Sequence, residues 1–167
     1  MKWYLKVVRD NYANFKGRAT RQEYWMFVLF NSIFSYSLLF IGTSTDLEII
    51  SSIYSFAVLL PSLGVAVRRL HDTGKSGWYY VGFIVIIMIA LIAGVVAVMR
   101  ENGFEMNPEN PYELFMQSGM FPYLAVVAIT GLLFLFVMVQ PSQEGSNQFG
   151  PNPNNPDQDE LETQLYE

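Results

Sequence analysis

Charged residues are missing from four long stretches of the chain: 22 residues between Glu23 and Asp46, 19 between Glu48 and Arg68, 24 between Lys75 and Arg100, and 30 between Glu113 and Glu144. A helix needs about 20 mostly apolar residues to cross the hydrocarbon core of a bilayer. The pattern therefore predicts four spans, near 24–42, 49–67, 79–99 and 121–139. Ahead of them Tyr4, Val8, Tyr12 and Phe15 recur at spacings of four, four and three, with Lys2, Lys6 and Arg9 on another face, which predicts a short amphipathic helix over 3–15. Its basic side suits anionic headgroups at the membrane interface; its apolar stripe suits packing against its own bundle, and the two readings are compatible. The segment 100–121 is acidic and interrupted by Pro108 and Pro111. Residues 151–167, rich in Asn, Pro, Gln and acids, read as a disordered tail. The expected fold class is an all-α membrane protein: four transmembrane helices and the short N-terminal helix in one domain, 1–150, then the acidic tail, 151–167.

Composition agrees with the pattern. Hydrophobic residues make up 51% of the chain and charged residues 15%, against a usual quarter. A soluble bundle with four wholly buried helices of this length would have too little polar surface left to dissolve. The N-terminus does not read as a signal peptide, because Lys6, Arg9 and Asp10 interrupt it. The absence of cysteine excludes disulfides, thiolate metal sites and cysteine nucleophiles.

Nine of the ten Lys and Arg residues fall in 1–23 and 68–78; only Arg100 lies elsewhere. With four spans, the N-terminus, the turn 68–78 and the tail share one side, and the basic excess assigns that side to the cytoplasm. The net charge of −5 comes largely from acids in the tail and in 101–113, which weigh little in orientation. The expectation is a multi-pass membrane protein with both termini cytoplasmic; the resemblance described below adds that the membrane is the bacterial inner (plasma) membrane.

Several residues carry structural signals. Thr20 and Glu23 fit a capping box at the start of the first span. Tyr24 and Trp25, and later Trp78, Tyr79 and Tyr80, suit an aromatic belt at headgroup level. Pro61, inside the second span, strands the carbonyl of Ala57, and in lipid that group needs a partner. Asn31 is the most polar side chain within the spans. It lies seven residues past Tyr24, about 10 Å deep at 1.5 Å per residue, level with Pro61, so its amide is expected to face the second span and donate to Ala57. Ala90 and Gly94 have the small-xxx-small spacing that permits close helix approach, a weak signal in so apolar a run.

The stretch "RRLHDTGKSGWYY", Arg68 to Tyr80, gathers the chain's only histidine, a His-Asp pair and a Gly-Lys-Ser triplet. A phosphate-binding loop would need glycine at position 69, where Arg69 stands, and a preceding strand. Gly74 and Gly77 read instead as turn residues between two helices. His71 and Asp72 are adjacent and point apart on a helix, whereas Arg68 and Asp72, four apart, are placed to pair. His71 and Asp72 are the weak candidates for catalysis, and Ser76 is near, but no nucleophile elbow is present. A polar cap on the turn is the plainer reading. No metal or other cofactor is expected. The spans hold no Asp, Glu, Lys, Arg or His, which argues against a proton-driven carrier or a charge-lined pore.

"FKGRATRQEYWMFVLF", "LLPSLGVAVRRLHDTGKSGWYY" and "GSNQFGPNP" together resemble the bacterial membrane domain-of-unknown-function family 805 (YhaH/YhaI-like inner membrane proteins). The family pattern falls here on Phe15 to Trp25, Arg68 to Trp78 and Gly145 to Pro153. The resemblance implies a small integral inner-membrane protein and carries no activity with it. All three stretches are expected at the cytoplasmic face. Arg18, Arg21, Arg68, Arg69, Lys75 and Asn147 then become candidates for holding a phosphate-bearing headgroup of anionic lipid or an acidic partner segment. The same arginines otherwise only set topology and pair with Glu23 and Asp72. Three classes stay open: a non-enzymatic scaffold or partner- and lipid-binding module, with a homo-oligomer or another membrane protein as possible partner; a membrane enzyme acting on a phosphorylated lipid; and a transporter of a neutral or amphiphilic solute. Nucleic acid is not an expected partner.

Overall fold

The computed structural model describes residues 1–45, 48–102 and 119–155. The turn or two of helix expected after Pro111, and the tail from residue 156 on, lie outside the described residues. Those described are helical apart from connecting turns and one isolated bridge between Asn147 and Gly150. The helices are α1 (Lys2–Leu5), which widens into a π-helical stretch over Lys6–Asp10, then α2 (Arg21–Thr45), α3 (Glu48–Asp72), α4 (Trp78–Asn102) and α5 (Phe121–Val139). Helices α2 to α5 are each long and apolar enough to cross a membrane, so the chain is a four-span all-α membrane protein. Large apolar side chains such as Phe40 and Phe56, 74% and 78% exposed, point outward, as a surface solvated by lipid requires.

The N-terminal helix is shorter than its apolar stripe predicts. Asn11 leaves helical backbone at φ −131°, and its side-chain amide donates to the Lys6 carbonyl at 3.1 Å. A short amide that bonds its own backbone offers the chain an exit from the helix, and Tyr12 and Phe15 fall in the connection that follows.

The described chain forms two compact bodies, Met1–Gly77 with the chain from Met138 onward, and Trp78–Val137. In the first, α2 and α3 pair and the N-terminal segment packs on both. Tyr4 is buried, stacked on Phe27 at 5.6 Å and set edge-on to Phe34 at 5.3 Å. Its hydroxyl lies 3.0 Å from that of Tyr54, which in turn donates to Asn31 Oδ1 at 2.9 Å. Asn31 thus faces α3, but as an acceptor. The Ala57 carbonyl freed by Pro61 takes its hydrogen bond from the Tyr12 hydroxyl, 2.6 Å away. The long phenol reaches across from the N-terminal connection to a carbonyl that the short Asn31 amide was expected to fill. Gly64 makes this crossing possible, since a Cβ there would stand 3.0 Å from the Asn14 carbonyl oxygen.

In the second body α4 and α5 run antiparallel. Phe134 receives Tyr80 and Phe83 edge-on at 5.7 and 5.2 Å, while at the other end a Cβ on Gly94 would lie 3.4 Å from that of Tyr123. Gly94 gives the close approach that the small-residue spacing foreshadows, with Ala90 buried one turn away.

Candidate functional site

The start of α2, the end of α3 and the segment after α5 meet in one buried polar cluster. Local chemistry sets each approach. Thr20 Oγ1 accepts the Glu23 N–H at 3.1 Å and caps α2. The Glu23 carboxylate turns away from the cap, so only half of the predicted box is a cap: its oxygens receive Arg68 Nη1 at 2.7 Å and Lys6 Nζ at 2.6 Å. Helix α3 ends in a Schellman turn, with Gly74 N–H donating to the His71 carbonyl and Lys75 N–H to that of Leu70. Gly74 occupies the left-handed region at φ +75°, and a Cβ there would strike Gln143 Oε1 at 2.5 Å. Gly77 is small for packing reasons: a Cβ would come within 2.8 Å of Val67 Cγ1.

Asp72 is the hub of the cluster. Its side chain is wholly buried and accepts Arg18 Nε at 3.0 Å, Arg69 Nη1, and Ser142 Oγ at 2.6 Å. The two arginines spend their remaining donors on backbone carbonyls. Arg18 bonds those of Gln143, Gly145 and Gly150; Arg69 bonds those of Met138 and Gln140. A buried guanidinium is tolerated when it is paired and its other N–H groups are satisfied, and both conditions hold for Arg18 and Arg69. Arg68 was expected to take Asp72 from four residues away, but Asp72 is occupied by Arg69 at three and by Arg18 from across the fold.

The segment after α5 straps the cluster. Asn147 and Gly150 exchange two backbone hydrogen bonds, 3.1 and 2.9 Å, across a two-residue turn. Asn147 Oδ1 accepts the Phe149 N–H, and its amide donates to the His71 carbonyl at 2.9 Å. The turn lays Phe149 flat on the His71 ring, with centroids 3.8 Å apart and planes 3° apart. His71 Nδ1 lies 3.1 Å from the Gly17 carbonyl oxygen. A carbonyl only accepts, so Nδ1 carries a proton. The imidazole is thereby held at one edge and covered on one face. Residues 151–155, which composition groups with the tail, continue the strap: Asn152 is buried, and the Asn154 amide donates to Ser142 Oγ at 3.0 Å.

Of the residues singled out in the sequence, Arg18, Thr20, Glu23, Arg68, Arg69, His71, Asp72, Gly74, Gly77 and Asn147 are brought together here. Lys75 joins at the margin by donating to Gln140 Oε1 at 2.7 Å. Arg21 is exposed at the start of α2, Trp25 stands edge-on to Tyr24 at 5.3 Å, and Trp78 is exposed at the start of α4. Asn31 and Pro61 belong to the packing of α2 and α3 instead. Sequence reasoning missed Ser142, Gln143, Phe149 and the strap carbonyls; Gly145 and Gly150, both at positive φ, were the available signal that this backbone folds back. It also missed Trp3, whose ring lies 5.3 Å from Lys6 Nζ. Among the described residues no three of His, Cys, Asp and Glu gather as a metal site would require.

Comparison with known proteins finds the same extent. The family described as "Protein of unknown function (DUF805)" matches residues 12–151, which take in every span, the first two polar stretches and the third as far as Pro151. The inner membrane protein YhaH of Escherichia coli is 38% identical over 122 residues, covering 65% of this chain and 98% of that protein. The inner membrane protein YhaI of the same organism is 46% identical over 87 residues, 51% of this chain and 73% of that protein. No solved structure matches the chain.

Proposed function

We propose that this chain, which belongs to the DUF805 family, is a non-enzymatic module of the bacterial inner membrane whose polar cluster faces the cytoplasm and serves as a scaffold for a partner or for lipid. The inner-membrane setting follows the names of the relatives, and the orientation rests on the nine basic residues in 1–23 and 68–78. The observation that carries the reading is the consumption of the candidate catalytic pair. Asp72 has no exposed side chain and three internal partners. His71 is tied to Gly17 and roofed by Phe149. A general acid or base must reach its substrate within hydrogen-bond distance, and these groups are turned inward on the fold.

Such a cluster does what a scaffold needs. It locks three segments distant in sequence into one arrangement, so that the surface they present is fixed in shape. The test is direct. Purified protein is incubated with phosphatidic acid and with phosphatidylglycerol phosphate, and released phosphate is measured. No turnover is expected. Turnover that disappears in a folded His71→Ala variant would replace the scaffold by an enzyme acting on a phosphorylated lipid.

A further inference from the structure

One corner of the cluster is left incomplete. Arg68 is as buried as its neighbours, its side chain 4% exposed, yet only Nη1 is used, on Glu23. Among the described residues its Nε and Nη2 have no hydrogen-bond partner, and neither has the buried indole Nε1 of Trp3. All three orphaned groups are donors. They border one shared carboxylate: Glu23 takes Arg68 through one oxygen and Lys6 through the other, and Lys6 Nζ stands 5.3 Å from the Trp3 ring, as does Lys2 Nζ. Buried polar groups are almost always bonded, so each exception calls for an explanation. The charge is unbalanced in the same direction. Among the described residues, Arg18, Arg68 and Arg69 are buried with only the buried Glu23 and Asp72 to oppose them, an excess of one positive charge before Lys6 is added. Arg18 and Arg69 are saturated by carbonyls; the surplus donors belong to Arg68.

We propose that Arg68, Trp3 and Lys6 form a site for the phosphate of an anionic lipid, entered from the membrane side where α1 lies on α2 and α3. A phosphodiester supplies only acceptors, carries one negative charge and arrives at headgroup level with no need for a soluble carrier. An Arg68 fork already committed to Glu23 through Nη1 has Nε and Nη2 left for two phosphate oxygens. The Trp3 N–H then adds a third donor, and Lys6, 46% exposed, bridges to the outside. Entry requires the N-terminal helix to shift on its Lys6–Glu23 contact, because the orphaned atoms are covered as the segment stands. This site rests on the lipid-binding side of the scaffold reading and names its ligand.

The test is retention of lipid by the full chain in detergent, read by native mass spectrometry after equilibration with equal amounts of phosphatidylglycerol and phosphatidylcholine. The wild type retains phosphatidylglycerol in about tenfold preference. Arg68→Lys, which keeps the charge but loses the fork, lowers that preference at least about threefold. Trp3→Phe keeps the ring and removes the indole donor, and also lowers it; as a substitution remote from Asp72 it keeps the test decisive if Arg68→Lys fails to fold. Lys16→Gln, an exposed charge outside the site, leaves it unchanged. Equal retention in wild type, Arg68→Lys and Trp3→Phe overturns the site. An equal loss in Lys16→Gln does so too, by showing general surface attraction. If inorganic phosphate displaces the lipid from the wild type, the ligand is a soluble anion and the lipid assignment falls. None of these outcomes bears on the absence of turnover, which fails or stands by its own assay.

Discussion

Replacing Asp72 by asparagine keeps the shape of the side chain and removes the charge on which the cluster is centred. The carboxylate accepts three hydrogen bonds, two of them from buried guanidinium groups. Asparagine retains one acceptor oxygen and turns the other into a donor. If the oxygen keeps Arg69 and Ser142, the new NH2 group confronts Arg18 Nε, donor against donor. Arg18 has its carbonyls at Gln143, Gly145 and Gly150 but no counter-charge, and Arg69 is in the same position. Removing one partner of a buried ion pair costs about 3–5 kcal/mol, more than the worth of the pair itself, because a charge is left unopposed. The expectation is therefore a loss of about 3–5 kcal/mol, measured by SDS titration in mixed micelles with tryptophan fluorescence as the probe. It is accompanied by faster cleavage at the exposed Glu144 by a glutamyl-specific protease as the strap loosens. A loss under about 1 kcal/mol, the range of exposed pairs, with unchanged cleavage, would refute the view that this network holds the three segments together.

Four further outcomes are expected. Tyr12→Phe returns the Ala57 carbonyl to its unpaired state and costs about 1–3 kcal/mol in the same titration, whereas Asn31→Leu, which removes only the acceptor of Tyr54, costs about 0.6 kcal/mol; the reverse order would put the partner of Ala57 in error. Gly74→Ala forces a Cβ into the left-handed region and against Gln143, with a loss of about 1–3 kcal/mol, and adding Gln143→Ala recovers the steric part but not the backbone part. Phe149→Ala uncovers the only histidine, so the rate of diethylpyrocarbonate modification of His71 rises several-fold; an unchanged rate would mean the ring is not shielded by that stack. Reporter fusions at Glu109 and after Glu167 place the first outside and the second inside; the opposite result would move the cluster to the other face of the membrane.

The spans are legible because lipid imposes a rule on every residue of a helix: the gaps between charges mark α2 to α5 to within a few residues. Gly74 and Thr20 are legible for a related reason, since turn and cap chemistry act within four residues. What local rules cannot decide is which partner wins among several in range. Arg68 and Asp72 have the right spacing for a pair, yet Asp72 goes to Arg69 and to Arg18, 54 positions away, because burial rewards the arrangement that satisfies most donors at once. The Ala57 carbonyl goes to Tyr12 for a similar reason: a residue on another segment has the reach. The strap was hardest to read, because its contribution is backbone carbonyl oxygens, which every residue has and no side chain announces.

Arg18 finds its final partners 127 and 132 residues further along the chain. At about 5–20 residues per second, a ribosome needs roughly 6–25 s to deliver the strap after Arg18 has emerged. During that interval all four spans can enter the bilayer while Arg18 and Arg69 still hold their charges against water and headgroups. Those waiting charges keep the adjoining ends of α2 and α3 from being drawn into the hydrocarbon, so residues that end as interior struts first act as tethers. The strap can close only once the last span has been made, and a chain cut after Gln140 lacks the carbonyls of Gln143, Gly145 and Gly150 that saturate Arg18.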